Sequence, residues 1–292
     1  MVSDSARDPE GVRFEDGRLG LRDGRTLAWR LWGEPEDEVI VRLQGVPGSR
    51  LGRPGLGARG TLGVRLLMVD RPGFGCSTRL PGRGLRVVAE DLAELLDELG
   101  VASAPVIANS GGAPHALALA ACYPNRVRSL TVVNGACPVT PSERAGLERV
   151  NAQLGALLDE GWDAVHAYLI PIRQRLLDEG MRALRADAPA QDVAKMTGKT
   201  WALRDSGNRH EALRQGTAGW ADETLAINSR WDFELADVRT HIDWWHGASD
   251  RAVPLSAAQR LTALLPDCDL HVLAHHGHNV GLMPMLDQLA GN

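Results

Sequence analysis

The sequence predicts an α/β protein: a mostly parallel central sheet with helices on both faces and an inserted helical lid. Three observations predict it. Short apolar runs alternate with helix-period stretches from about Glu38 to Val133, and the alternation returns at His241. That order builds parallel strands joined by right-handed crossovers. The run Val64–Val69 is apolar almost throughout, as a strand covered on both faces should be. Between about Cys137 and Asp237 strand signals vanish and helical segments remain. The chain therefore divides into a first core part over 1–136, a helical lid over 137–237 and a second core part over 238–292.

Taken in order, residues 1–20 are polar and are expected to be loosely held. Asp23-Gly24 is a turn before the strand Thr26–Trp32, and Glu38–Leu43 is a second strand. It runs into Gln44-Gly45-Val46-Pro47-Gly48-Ser49-Arg50, a loop dense in Gly and Pro. Gly55, Gly57 and Gly60 match a dinucleotide fingerprint in spacing, but no strand directly precedes them and no room is left for a helix before Val64. Both are required, so no cofactor is expected there. After Val64–Val69 comes the turn Asp70–Ser77, with Asp70 read as its structural cap. Val88, Leu92, Leu95, Leu96 and Leu99 then recur at helical spacing over Leu85–Leu99. Val106 and Ile107 are strand formers leading into Asn109-Ser110-Gly111-Gly112, and His115–Cys122 is a helix with Pro114 in its first turn. A strand over Arg128–Val133 follows. Lid helices are expected at Ser142–Glu160, Trp162–Glu179 and Asp192–Asp205. The chain closes with the strand His241–His246, the helix Leu255–Leu265, the strand Asp269–Ala274 and a final helix that Pro284 interrupts.

Composition narrows the partners. The 292 residues carry a net charge of −5 with both signs interspersed, which argues against a nucleic-acid stripe or a polybasic membrane patch. Cys76, Cys122, Cys137 and Cys268 form no metal-type spacing, so free thiols and no metal are expected. Met1–Arg22 lacks the apolar stretch of a signal peptide, and no apolar run is long enough to span a bilayer. The expectation is a soluble cytoplasmic protein without a cofactor.

Ser110 sits where a strand turns sharply into a helix, between residues small enough to leave its hydroxyl exposed. Asp250 and His278 each follow a later strand candidate, so the carboxyl ends of a parallel sheet can bring all three together. Serine, acid and base in that chain order are what α/β-hydrolases use. Five stretches carry the resemblance: QGVPGSR (44–50), DRPGFGCST (70–78), ANSGGAPHALA (108–118), WHGASDRAVP (245–254) and GH (277–278). The chain resembles lid-bearing serine hydrolases of the α/β-hydrolase fold, whose elbow reads like G-x-S-G-G-G-P-Y-A-L-A.

The resemblance implies Ser110 as nucleophile, His278 as general base and Asp250 as its orienting acid. It implies an oxyanion hole from the backbone N–H of Val46 and of Gly111; Pro47 has no N–H to offer. Asn134, Asp243, His275 and His276 are rivals at the acid and base positions. Gln44 replaces the usual His of its loop, and Ala108 the first Gly of the elbow. Gln44, with the lid tryptophans Trp162, Trp201 and Trp220, is the candidate substrate-binding set. A serine nucleophile points to an ester or lactone, with thioester or amide as variants, of a medium-sized apolar molecule. A lyase-like tailoring enzyme and a receptor with an inert serine are the competing readings.

Overall fold

The computed structural model describes residues 6–56, 62–181, 185, 187–196, 199–282 and 285. Its strands are β1 (Ala6–Arg7), β2 (Arg13–Gly20), β3 (Thr26–Trp32), β4 (Val39–Leu43), β5 (Arg65–Val69), β6 (Ala104–Asn109), β7 (Val127–Val133), β8 (Ile242–Gly247) and β9 (Cys268–Leu273). They form one sheet in the order β1-β2-β3-β5-β4-β6-β7-β8-β9. From β5 to β9 every pairing is parallel, and β1, β2 and β3 add an antiparallel edge.

Residues 13–20 are not the loose segment expected from their polarity. Residues 14–20 of β2 pair with β3, from Phe14 opposite Trp32 to Gly20 opposite Thr26. An antiparallel edge needs only one covered face, so a polar strand is held there by backbone pairing. Gly17 is required at this point, because a Cβ would fall 2.0 Å from the Trp29 ring.

Helices α1 (Arg86–Glu98) and α2 (Ala113–Cys122) join a core cluster with Leu31, Val41, Leu67, Val106 and Val132 of the sheet. Ala257, Ala258 and Leu261 of α9 (Leu255–Thr262) join the same cluster. The opposite sheet face carries a second cluster around Ile40, Leu66, Met68 and Ile107, closed by Leu62 and Met285. The expected final helix lies outside the described residues, as do Gly57 and Gly60.

Between β7 and β8 the described residues form helices: α3 (Pro141–Arg144), α4 (Arg149–Leu157), α5 (Trp162–Glu179), α6 (Ala190–Lys195), α7 (Lys199–Ala212) and α8 (Ala218–Asn228). The sequence anticipates α5 and most of α4, runs α6 and α7 together as one helix over Asp192–Asp205, and gives no sign of α8. Val165, Leu169, Ile172 and Leu176 of α5 build a third cluster with Ala212, Leu213 and Trp220. Among the described residues no helix is long and apolar enough to cross a membrane. All four cysteines are free.

Candidate active site

The turn after β6 is where the sheet presents a reactive side chain. Ser110 has φ of 50°, a left-handed backbone that a non-glycine residue adopts only under restraint, at a cost of about 1–3 kcal/mol. The restraints are close contacts that only glycine permits. A Cβ on Gly112 would lie 2.1 Å from the Leu43 carbonyl oxygen, so α2 starts directly against β4. A Cβ on Gly111 would lie 2.4 Å from Val46 Cγ2. Ala108 is fully enclosed in β6, between Leu43 of β4 and Val132 of β7.

His278 Nε2 stands 3.0 Å from Ser110 Oγ, and His278 Nδ1 stands 2.7 Å from Asp250 Oδ2. An ionised Asp250 accepts, so Nδ1 carries the proton and Nε2 is left to accept the serine hydroxyl. Asp250 is buried, and its other oxygen accepts the N–H groups of Ala252 and Val253 at 2.8 and 2.9 Å. Burial alone would raise its carboxyl, but the facing His278 and the Val253 N–H outweigh that and hold it below the usual carboxylate range. His246, with Nδ1 accepting from Trp244 Nε1 and Nε2 directed at the Val253 carbonyl oxygen, is kept neutral by burial. The rivals fall elsewhere. Asp243 pairs with His271 at 2.9 Å, and His275 is exposed.

Asn134, a rival for the acid position in the sequence, and Asp192, which the sequence did not single out, hold the His278 loop. Asn134 leaves β7 with φ of 47° and its amide bridges three strand ends. Nδ2 donates to the carbonyl oxygens of Gly277 (3.2 Å) and His278 (2.6 Å), and Oδ1 accepts the Gly247 N–H at 2.8 Å. Asp192 of α6 accepts the backbone N–H of His278 at 2.8 Å and of Asn279 at 3.0 Å, and is itself paired with Arg185. Asn134 was legible in the sequence as a rival for the orienting acid past a strand end, though not as a clamp. Asp192 carried no signal, because its partner is backbone.

The loop after β4 is set by charge. Arg71 is completely buried and donates to the carbonyl oxygens of Gln44 (2.8 Å) and Gly45 (3.2 Å). The trans peptide sets the Val46 N–H opposite the Gly45 carbonyl oxygen, so it points away from Arg71. Gly45 lies against Ser110, where a Cβ would be 3.6 Å from Oγ. The N–H groups of Val46 and Gly111 are spent on no turn or loop bond among the described residues. Gly111 stands at a helix start, where negative charge is favoured. Arg71 in turn donates to Glu223 of α8 at 2.7 Å, and Arg83 and His115 Nε2 share the same carboxylate. Burial opposes the Glu223 charge, but Arg71, His115 and Arg83 hold it well below the carboxylate range.

A cavity of about 350 Å³ opens over Ser110 between the sheet and the inserted helices. Of the expected substrate-binding set, Trp220 lines it, among Leu147, Val150, Leu154 and Ile227. Gln44 also lines it, but its amide N–H group is committed to the Val69 carbonyl oxygen at 2.8 Å, and only Oε1 is without a partner. Trp162 does not reach the cavity. Its indole N–H bonds Asp222 at 2.8 Å, its ring stacks on His166, and it lines a separate cleft beside Arg79. The side chain of Trp201 lies outside the described residues.

Residues 38–282 match the model of the α/β hydrolase fold family. A 2-hydroxy-6-oxononadienedioate/2-hydroxy-6-oxononatrienedioate hydrolase of Pseudomonas putida is 29% identical over 288 residues, covering 91% of this chain and 88% of that one. A putative carbamate hydrolase of Caulobacter vibrioides is 30% identical over 275 residues, 89% of this chain and 90% of the relative. The solved enol-lactonase of Burkholderia xenovorans shares the fold with a TM-score of 0.63 at 19% identity, over 94% of this chain and 97% of that one. The chain belongs to the α/β hydrolase fold family and is an enzyme of hydrolase type.

Proposed function

We propose that this hydrolase cleaves an ester or lactone of a medium-sized small molecule through an acyl-enzyme on Ser110. The observation that carries the reading is the relay from Ser110 Oγ through His278 to Asp250, at 3.0 and 2.7 Å. His278 Nε2 takes the hydroxyl proton as Oγ attacks the carbonyl carbon. The oxyanion is met by the N–H groups of Val46 and Gly111. The same Nε2 proton passes to the leaving alcohol, which departs as the ester bond breaks. Water then enters by the same route, releases the acid and restores the serine. Asp250 stays ionised throughout and stabilises the imidazolium.

The cavity volume of about 350 Å³ suits a ligand of that size, and its Leu147, Val150, Leu154 and Trp220 wall suits an apolar part of it. The inserted helices act as a lid that limits water around the acyl-enzyme. The test is a panel of aryl esters, lactones, thioesters and amides. Esters or lactones should be turned over, and Ser110→Ala should lower kcat by at least about 10³-fold with the fold intact by circular dichroism. Activity that survives in Ser110→Ala while needing His278 would favour a lyase-like reaction and overturn the reading.

A further inference from the structure

We propose that Arg42 anchors an anion subsite beside Ser110 and that the substrate carries a carboxylate held there. The proposal rests on the serine-hydrolase reading and narrows it to an ester with an anionic end.

Arg42 sits near the carboxyl end of β4, on the face where Ile40 packs. It is 7% exposed. Its guanidinium reaches the Gly52 carbonyl oxygen, the Asn109 side-chain oxygen at 3.3 Å and Met68 Sδ at 3.6 Å, and its Nε has no partner. Among the described residues no carboxylate pairs with it. Other buried arginines have one: Arg25 has Asp91, Arg53 has Asp8, Arg71 and Arg83 share Glu223, and Arg185 has Glu148; Arg209 lies beside Asp205 on its own helix, away from Ser110. Burial without a counter-charge pushes the Arg42 guanidinium down to about 10, still cationic at neutral pH. A lone buried cation is costly to a fold, and an aliphatic residue would fit the strand better. A cation kept there against that cost calls for an anion supplied from outside.

Its position says which anion. Arg42 lines the cavity over Ser110 and an adjoining one of about 600 Å³, together with Asn109, Asn208 and His278. Asn109, which bonds Arg42, is the residue directly before Ser110. In the adjoining cavity Arg53 and Arg204 are matched by Asp8 and Glu10. Lys195 donates to the Asn279 carbonyl oxygen and, like Arg42, has no carboxylate partner among the described residues. Among the described residues the lining of that cavity carries Arg42, Arg53, Lys195 and Arg204 against the carboxylate of Asp205, a net cationic balance. A planar guanidinium is matched to a carboxylate, which can accept from two of its N–H groups at once.

The experiment compares two substrates of equal acyl length: the mono-p-nitrophenyl ester of glutaric acid and p-nitrophenyl valerate. Wild type should favour the anionic ester by at least about 10-fold in kcat/KM. Arg42→Met should lose about 10- to 100-fold on the anionic ester and change less than about threefold on the neutral one. Arg42→Lys, which keeps charge without the fork, should retain a weaker preference. Glutarate should inhibit wild type and raise its Tm, with neither effect in Arg42→Met. Phosphate at matched ionic strength should do neither, and equal protection by phosphate would make the site a general anion site and overturn the carboxylate assignment. Equal losses on both esters, or a wild-type preference for the neutral ester, would overturn the proposal. If wild type hydrolysed neither ester, the hydrolase reading would fail, while glutarate-dependent Tm in wild type against Arg42→Met would still decide the subsite.

Discussion

A methyl group added at Gly277 would sit 2.4 Å from the Asp192 carboxylate that holds the His278 backbone. The carboxylate would have to move, and His278 with it. Misplacing a catalytic base by about 1 Å costs on the order of 10²-fold in rate. Gly277→Ala is therefore expected to lower kcat by about that factor while KM moves little, because the apolar wall of Leu147, Val150, Leu154 and Trp220 is untouched. An unchanged kcat in steady-state assays would show that Asp192 does not position His278. The Gly-His pair was legible in the sequence as a motif, but its reason was not. Ser110 and His278 are 168 residues apart, and nothing local to either one specifies Asp192 or the Asn134 clamp between them.

At the scale of elements, α8 does most to shape the site and left no trace in the sequence. An ordinary surface helix shows an apolar stripe against a polar face. In α8 Trp220, Asp222, Glu223, Thr224 and Ile227 are all buried, so both faces are enclosed and the stripe is lost. Strand β2 was missed for the converse reason, because its pairing with β3 is backbone-made and independent of side-chain pattern. The apolar strands β3, β5 and β7 and helices α1 and α5 were legible because burial on known faces writes a period into the sequence. Glu223 of α8 is the shared counter-charge of Arg71 and Arg83, with His115 as a third partner. Removing one member of a buried ion pair costs about 3–5 kcal/mol, since the remaining charge is left uncompensated. Glu223→Gln is expected to lose at least that much stability in urea unfolding. It should also lower kcat, since Arg71 aligns the Gly45–Val46 peptide beside Ser110. A variant with normal stability would contradict the charge balance assigned to this cluster.

For the whole molecule, the helices between β7 and β8 are tied to helix α9 of the core by polar contacts as well as by packing. Glu143 of α3 accepts from Thr140, and from Ser256 and Arg260 of α9 at 2.8 Å each. Burial works against its charge, but these donors hold its carboxyl down to about 2. A carboxyl lowered in the folded state stabilises the fold when ionised. That contribution is complete above the unfolded value of about 4.3 and is lost as pH falls toward the folded one. The urea midpoint of wild type should therefore exceed that of Glu143→Gln at neutral pH, with the gap closing between about pH 4.3 and 2. A gap independent of pH would assign the effect to shape rather than charge.

The central claim, that the fold converges on Ser110 to make it a nucleophile, is tested most directly by a fluorophosphonate probe at neutral pH with the labelled peptide identified by mass spectrometry. One equivalent of label is expected on Ser110, rapid in wild type and suppressed in His278→Ala. An unlabelled Ser110 in folded wild-type protein would contradict it.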